Sequence, residues 1–131
     1  MPAPLQVVAA VIEREGKILI AQRKRDGKHP LKWEFPGGKV ESGELPPAAL
    51  ARELHEELDI DATIDTQLDA YEICYPGGRP LRLLFFRVIE WQGEPRNLVF
   101  ERIVWEFPER LRDYDFLEGD AAFLRKLAAS A

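Results

Sequence analysis

The stretch Gly38-Lys39-Val40-Glu41-Ser42-Gly43-Glu44, followed after a helix-length gap by Arg52-Glu53-Leu54-His55-Glu56-Glu57, decides how this chain is read. Ser42 and Gly43 form turns and caps, Glu44 favours a helix N-terminus, and Pro46 and Pro47 suit a helix's opening positions, where a missing N–H costs least. At roughly 100° per residue, Leu50, Leu54 and Leu58 fall on one stripe that reads as core, with Ala51 and Pro47 at its margins. Glu53, Glu56 and Glu57, spaced i, i+3 and i+4, occupy the adjoining face, while His55 and Ala48 point to solvent. Like charges at that spacing repel, and within the helix only Arg52 stands close enough to offset them. Glutamates alone would read as a solvated face. A glycine turn feeding them at this spacing reads instead as a device for holding a divalent cation, with oxygen ligands, against a phosphate chain.

Working outward, the chain has 131 residues, 46% of them hydrophobic, enough for one real core and too few for two ordinary domains. Residues 1–131 are therefore expected to form a single domain. The net charge of -5 argues against a general nucleic-acid surface. A polyanionic phosphate chain then needs a local positive site or a metal. Cys74 is the only cysteine, which excludes an intrachain disulfide, and its place in an apolar strand reads as core rather than nucleophile. Neither a basic-plus-apolar leader nor a long uncharged apolar run is visible, so no membrane partner is expected and the location expected is cytoplasmic.

Flanking segments alternate as strands do. Leu5 to Glu13 and Lys17 to Arg23 read as a hairpin about Glu15-Gly16. Arg25-Asp26-Gly27-Lys28-His29-Pro30 is loop-like, and Trp33 to Phe35 is a short strand entering the box. Leu68 to Tyr75 and Leu81 to Ile89 form a second hairpin about Pro76-Gly77-Gly78-Arg79, with Leu83 to Phe86 buried on both faces. Gln92-Gly93-Glu94-Pro95 reads as a loop, Ile103 to Trp105 as a last strand, and Gly119 to Leu127 as a terminal helix with Phe123, Leu124 and Leu127 inward. The pattern is α/β, a mixed sheet between helices.

Gly38, five residues, Glu44, seven residues, Arg52-Glu53-Leu54, one residue, Glu56-Glu57 resembles the signature box of the Nudix hydrolases. The preceding Trp33-Glu34-Phe35-Pro36-Gly37-Gly38-Lys39-Val40-Glu41 is similar to the MutT-like branch, which cleaves nucleoside triphosphates. Asp59 stands where the family has glycine, in a left-handed turn that aspartate tolerates better than most residues. The resemblance implies an α/β/α sandwich. It also implies that Glu53, Glu56 and Glu57 hold Mg2+ (or Mn2+) with help from a backbone carbonyl near Gly38, that Arg52 orients a catalytic carboxylate, and that Glu44 braces the loop. Water would attack the β-phosphorus, giving nucleoside monophosphate and pyrophosphate. Glu101, on the segment before the last strand, is either an additional general base or a surface residue.

The resemblance also implies nucleotide contacts from Arg23 and Arg79. Phe35 and Tyr75 either flank the base or pack in the core, since aromatic faces stack on any nucleobase, and His29 either contacts substrate or faces solvent. Asp120 stands where MutT-type sanitisers of oxidised guanine carry an amide. An ionised carboxylate only accepts hydrogen bonds, so it favours an exocyclic amine, as on cytosine; Asp120 can equally cap the terminal helix. The function expected is metal-dependent hydrolysis of a nucleoside triphosphate, ordinary or oxidised (8-oxo-dGTP or cytidine-type), by a monomer or homodimer. Rival readings are hydrolysis of another nucleoside diphosphate linked to a group X, a nucleotide-sensing module that does not cleave, and a partner-binding acidic helix.

Overall fold

In the computed structural model, which describes residues 4–129, the first hairpin joins β1 (Leu5–Arg14) to β2 (Lys17–Gln22). Its turn residues Glu15 and Gly16 both have positive φ, 52° and 78°, as a tight hairpin turn requires. Along β1 the side chains alternate between two cores. Val8, Ala10 and Ile12 face one, and Ala9 and Val11 the other. A strand buried on both faces reads as a continuous apolar run and sits at the centre of a sheet.

One edge of β1 is filled along its length by parallel β7 (Leu81–Val88), from Leu5 opposite Leu81 to Ile12 opposite Val88. The other edge is shared. Val7–Ala9 pair with β4 (Gly37–Lys39), and Glu13–Arg14 with β2. β2 in turn carries β3 (Trp33–Glu34) and β9 (Arg102–Glu106). The sheet therefore splits between β4 and β3, bridged by Phe35 and Pro36, and the functional cleft opens there. β6 (Gln67–Ile73) completes the sheet outside β7.

α1 (Pro46–Leu58) lies on one face with Leu50, Leu54 and Leu58 fully buried, as their spacing predicts, and Ala49 buried beside them. Truncating one such leucine to alanine costs about 2–5 kcal/mol. The start of the helix differs from expectation. The N-cap is Leu45, without a side-chain cap bond, and the first turn holds no acid. Ser42 and Gly43 lie in the preceding turn, and the Glu44 carboxylate is engaged by the Glu41 N–H and by Arg52. At the other end Asp59 is left-handed (φ 58°, ψ 39°), its N–H donating to the His55 carbonyl at 3.1 Å.

The opposite face is covered by α2 (Glu118–Ala129) and by a 3-10 helix (Pro108–Asp113), with Phe123 stacked on Phe85 at 4.3 Å. The mixed sheet thus lies between helices, an α/β/α arrangement. Three short strands are absent from the sequence reading: β4 occupies Gly37–Lys39, where a glycine turn is expected, and β5 (Asp61–Thr63) and β8 (Glu90–Gln92) pair into a separate ribbon. Gln92 belongs to that ribbon rather than to the loop. Cys74 corrects another expectation: it is exposed, beyond the end of β6. Pairing of β6 with β7 stops at Ile73 opposite Leu81, where the chain enters a turn closed by the Gly78 N–H on the Tyr75 carbonyl. Among the described residues no helix is long and apolar enough to cross a membrane.

Candidate active site

The antiparallel register of β4 on β1 sets Gly37 and Gly38 beneath α1. Neither position has room for a side chain: a Cβ at Gly37 would lie 1.9 Å from the Val8 carbonyl oxygen, and one at Gly38 2.5 Å from the carboxyl carbon of Glu53. The glycines let Glu53 lie flat against the strand. Arg52 ties the loop to the helix. Its guanidinium donates to both carboxylate oxygens of Glu44 (2.7 and 2.9 Å), to the Lys39 carbonyl (3.1 Å) and to Glu53 (3.2 Å), with Glu56 at 3.4 Å. That fork, with the Glu41 N–H, pulls the Glu44 carboxyl down to about 2.

Glu53 and Glu57, one helical turn apart, are the half-buried carboxyl groups of the acidic face, whereas Glu56 is exposed. Burial raises the Glu57 carboxyl to about 9, and the nearby Glu53 and Glu34 push in the same direction. Glu53 is raised as well, mainly by burial and against the pull of Arg52. One oxygen of Glu57 is buried with no hydrogen-bond partner. A buried acceptor without a donor is costly, and a cation meeting it is the compensation this donor set fits, being all oxygen with no thiolate or imidazole. Among the described residues no three side chains are gathered tightly enough, as they stand, to hold one ion. Glu56 is drawn toward Arg52.

From Glu57, Gly37 and Gly38 a cleft of about 420 Å³ runs past Glu34 and Arg23 to Phe35, Tyr75, His29 and Asp120. Glu34, on β3, is raised by burial and paired with Arg23 at 3.0 Å; the same Arg23 side chain donates to the Lys28 carbonyl at 2.8 Å. Asp120, in the first turn of α2, accepts the Phe35 N–H at 3.1 Å. Burial lifts its carboxyl to about 7, with Glu34 adding and Arg23 and the Phe35 N–H opposing. A larger depression, about 930 Å³, lies at the far end of β1 between the β1–β2 turn and the β5–β8 ribbon. Of its carboxylates, Glu13 is paired with Arg87 and Glu15, Asp61 and Glu90 are exposed, so nothing there matches the buried acids of the cleft.

A family model described as the NUDIX domain matches residues 2–127. The chain is 38% identical over 125 residues to the CTP pyrophosphohydrolase of Escherichia coli K12, covering 95% of this chain and 92% of that protein. To the 8-oxo-dGTP diphosphatase of the same organism it is 39% identical over 124 residues, covering 94% and 95%. The solution structure of the E. coli ORF135 protein superposes with a TM-score of 0.86 at 38% identity, over 95% of this chain and 89% of that one. A MutT Nudix hydrolase from Burkholderia pseudomallei gives 0.85 at 27% identity, over 95% and 98%.

The chain belongs to the Nudix family.

As a Nudix hydrolase it acts on phosphoanhydride bonds, and such enzymes generally need divalent metal ions. In this Nudix hydrolase the cleft gathers Gly38, Glu57, Arg23, His29, Phe35, Tyr75 and Asp120 from segments far apart in sequence. Phe35 is nearly fully buried and packs on Phe85, Phe116 and Phe123. Its ring is core, while its N–H reaches the site. Tyr75 shows its ring to His29 at 5.1 Å. His29 is left-handed, φ 49°. Among the described residues the Asp120 carboxylate accepts from the Phe35 N–H across the cleft rather than capping its own helix.

Two residues stand apart. Arg79 lines a shallow recess with Glu41, Ser42, Glu44 and Arg82, outside the main cleft. Glu101 is paired with Arg25 at 3.0 Å, which holds its carboxyl below the usual range, and it is not part of the cleft lining. Glu34 is a cleft residue that the sequence pattern does not single out. The available signal was an acid between two aromatics in a short strand ahead of a glycine pair.

Proposed function

We propose that this Nudix hydrolase is a pyrophosphohydrolase of nucleoside triphosphates, ordinary or oxidised, releasing nucleoside monophosphate and pyrophosphate. The observation that carries the reading is one continuous cleft. At one end stand Glu57 with its unpartnered oxygen and Gly38, behind which Glu53 is pressed; at the other stand Asp120 and Tyr75. A phosphate chain fits the acidic end through a cation, and a base fits the aromatic end.

Glu53 and Glu57, with Glu56 swinging in from Arg52 and a backbone carbonyl near Gly38, would hold Mg2+ or Mn2+. When bound, the ion neutralises phosphate charge and activates water. Arg52 holds Glu53 in place and, with Glu44, fixes the glycine loop. Arg23, already braced by Glu34 and the Lys28 carbonyl, presents its charge toward the phosphates. Asp120 faces the base edge. Ionised, it accepts from the amine of a cytosine-type base, in keeping with the substrate named for the E. coli CTP pyrophosphohydrolase. A second reading is favoured by one observation: with its carboxyl near 7, Asp120 also exists as the neutral acid, which can donate to a carbonyl of an oxidised guanine.

The test is a panel of normal and oxidised nucleotides with Mg2+, reading rate and products together. Monophosphate and pyrophosphate, with preference among bases, are expected. Turnover confined to diphosphates linked to another group, or none at all, would overturn the reading.

A further inference from the structure

We infer that the hydroxyl groups of Tyr71 and Tyr75 are positioning elements that fix Asp120 at the base end of the cleft, so that base discrimination depends on Tyr71, a residue outside the cleft lining. The inference rests on the proposed reading of Asp120 as the base-facing group.

Tyr71 lies in β6 and Tyr75 two residues beyond its end, four apart, a spacing that returns side chains to one face of an extended chain. Both reach the first turn of α2. The Tyr75 hydroxyl accepts the Gly119 N–H at 2.8 Å, one of the donors that a helix N-terminus leaves without an internal partner. The Tyr71 hydroxyl donates to the Gly119 carbonyl and accepts the Phe123 N–H at 3.3 Å. Residues 119 and 123 are the two ends of one helical rung, so this phenol grips the turn on both sides. Gly119 is pressed close against the sheet: a Cβ there would stand 2.8 Å from both Ile73 Cδ1 and the Tyr75 hydroxyl.

Asp120 is the next residue. Its carboxylate is fixed from the other side by the Phe35 N–H at 3.1 Å, and it is 8% exposed. The Tyr71 ring is itself held, stacked on Phe85 at 5.6 Å. Base-edge recognition tolerates little displacement, because a buried polar group that misses its partner loses its bond and retains its desolvation cost. Two phenols, one on β6 and one just beyond it, therefore set where the carboxylate of α2 meets the base.

The experiment is a double-mutant cycle on kcat/KM for CTP and 8-oxo-dGTP, with wild type, Tyr71→Phe, Asp120→Asn and the double variant, and melting temperatures alongside. Tyr71→Phe keeps the stacked ring. It is expected to lower the cytidine-to-oxoguanine ratio about threefold or more, chiefly through KM, and to leave the ratio unmoved in the Asp120→Asn background. A lower melting temperature with both substrates slowed alike would make Tyr71 structural and overturn the inference. So would an equal shift in both backgrounds. Asp120→Asn leaving the ratio untouched would instead overturn the reading of Asp120 itself. If Tyr71→Phe does not fold, the same cycle run with Tyr75→Phe decides the matter by the same criteria.

Discussion

Gly38 and Glu53 are locked together: a single Cβ at residue 38 would stand 2.5 Å from the glutamate's carboxyl carbon and 2.6 Å from one of its oxygens. The neighbour is a side chain, so Gly38→Ala can be accommodated by moving Glu53 while the fold survives. The expected outcome is a folded protein whose metal affinity or activity is about 10–100-fold weaker. Calorimetric titration with Mn2+ and turnover of a triphosphate check it. Wild-type values would show that Glu53 need not lie against this strand.

The acidic helix was legible because its leucines repeat at the helical period and its glutamates cluster beside them, a pattern fixed by local geometry. The left-handed turn at Asp59 was legible only through the family resemblance, which places glycine there. The helix cap was not, because Glu44 is occupied by Arg52, eight residues on, through a contact set by the packing of loop on helix. Cys74 continues the alternation of β6 on paper, but pairing ends at Ile73 and the turn closed by the Gly78 N–H on the Tyr75 carbonyl begins. Glu34 and the Asp120–Phe35 bond were illegible for a different reason: both depend on β3 and α2 meeting across the split in the sheet, and the Asp120–Phe35 contact joins positions 85 residues apart. Periodicity carries elements; only the assembled sheet carries the cleft.

Glu57 links metal to pH. Its folded carboxyl lies near 9 against an ordinary 4.5, so between those values the folded chain keeps a proton that the unfolded chain has released. Stability of the metal-free protein is then expected to fall as pH rises through that window. Glu57→Gln, an isostere of the protonated form, should show a shallower decline and should lose metal binding while staying folded. Melting curves against pH without metal, and calorimetry with Mg2+ or Mn2+, read both. Wild-type metal affinity in the variant would remove Glu57 from the ligand set.

Attack at the β-phosphorus makes a labelled product. Hydrolysis in oxygen-18 water should place the label in pyrophosphate and none in the monophosphate, as read by mass spectrometry. Label in orthophosphate, with nucleoside diphosphate as the partner product, would mean attack at the γ-phosphorus and a different placement of the phosphate chain along the cleft.

Glu101 is ionised and able to accept a proton, yet Arg25 holds its carboxylate outside the cleft lining. Glu101→Gln is expected to change kcat by no more than about fivefold, the scale of an exposed ion pair. A fall of several orders of magnitude, with metal affinity and melting temperature intact, would instead identify Glu101 as the general base and require the segment carrying it to close over substrate.

Asp120 offers the sharpest reading of base choice. Its carboxyl, raised to about 7 by burial, is mostly the neutral acid below that pH and mostly the carboxylate above it. The neutral acid presents a donor and an acceptor, as an amide does, and suits an oxidised guanine; the carboxylate only accepts, and suits the amine of cytosine. In the wild type, the ratio of kcat/KM for CTP over 8-oxo-dGTP should therefore climb as pH rises through about 7. Asp120→Asn should lower that ratio by roughly 5- to 150-fold at alkaline pH, on the order of 1–3 kcal/mol, and should flatten its pH dependence, since an amide does not titrate there. The Phe35 N–H remains paired in the variant if the amide oxygen takes the place of the acceptor, so the melting temperature should change little. A ratio that follows the same pH curve in both proteins would assign the titration to the nucleotide or to Glu34, and would leave base choice to backbone groups and the aromatic wall.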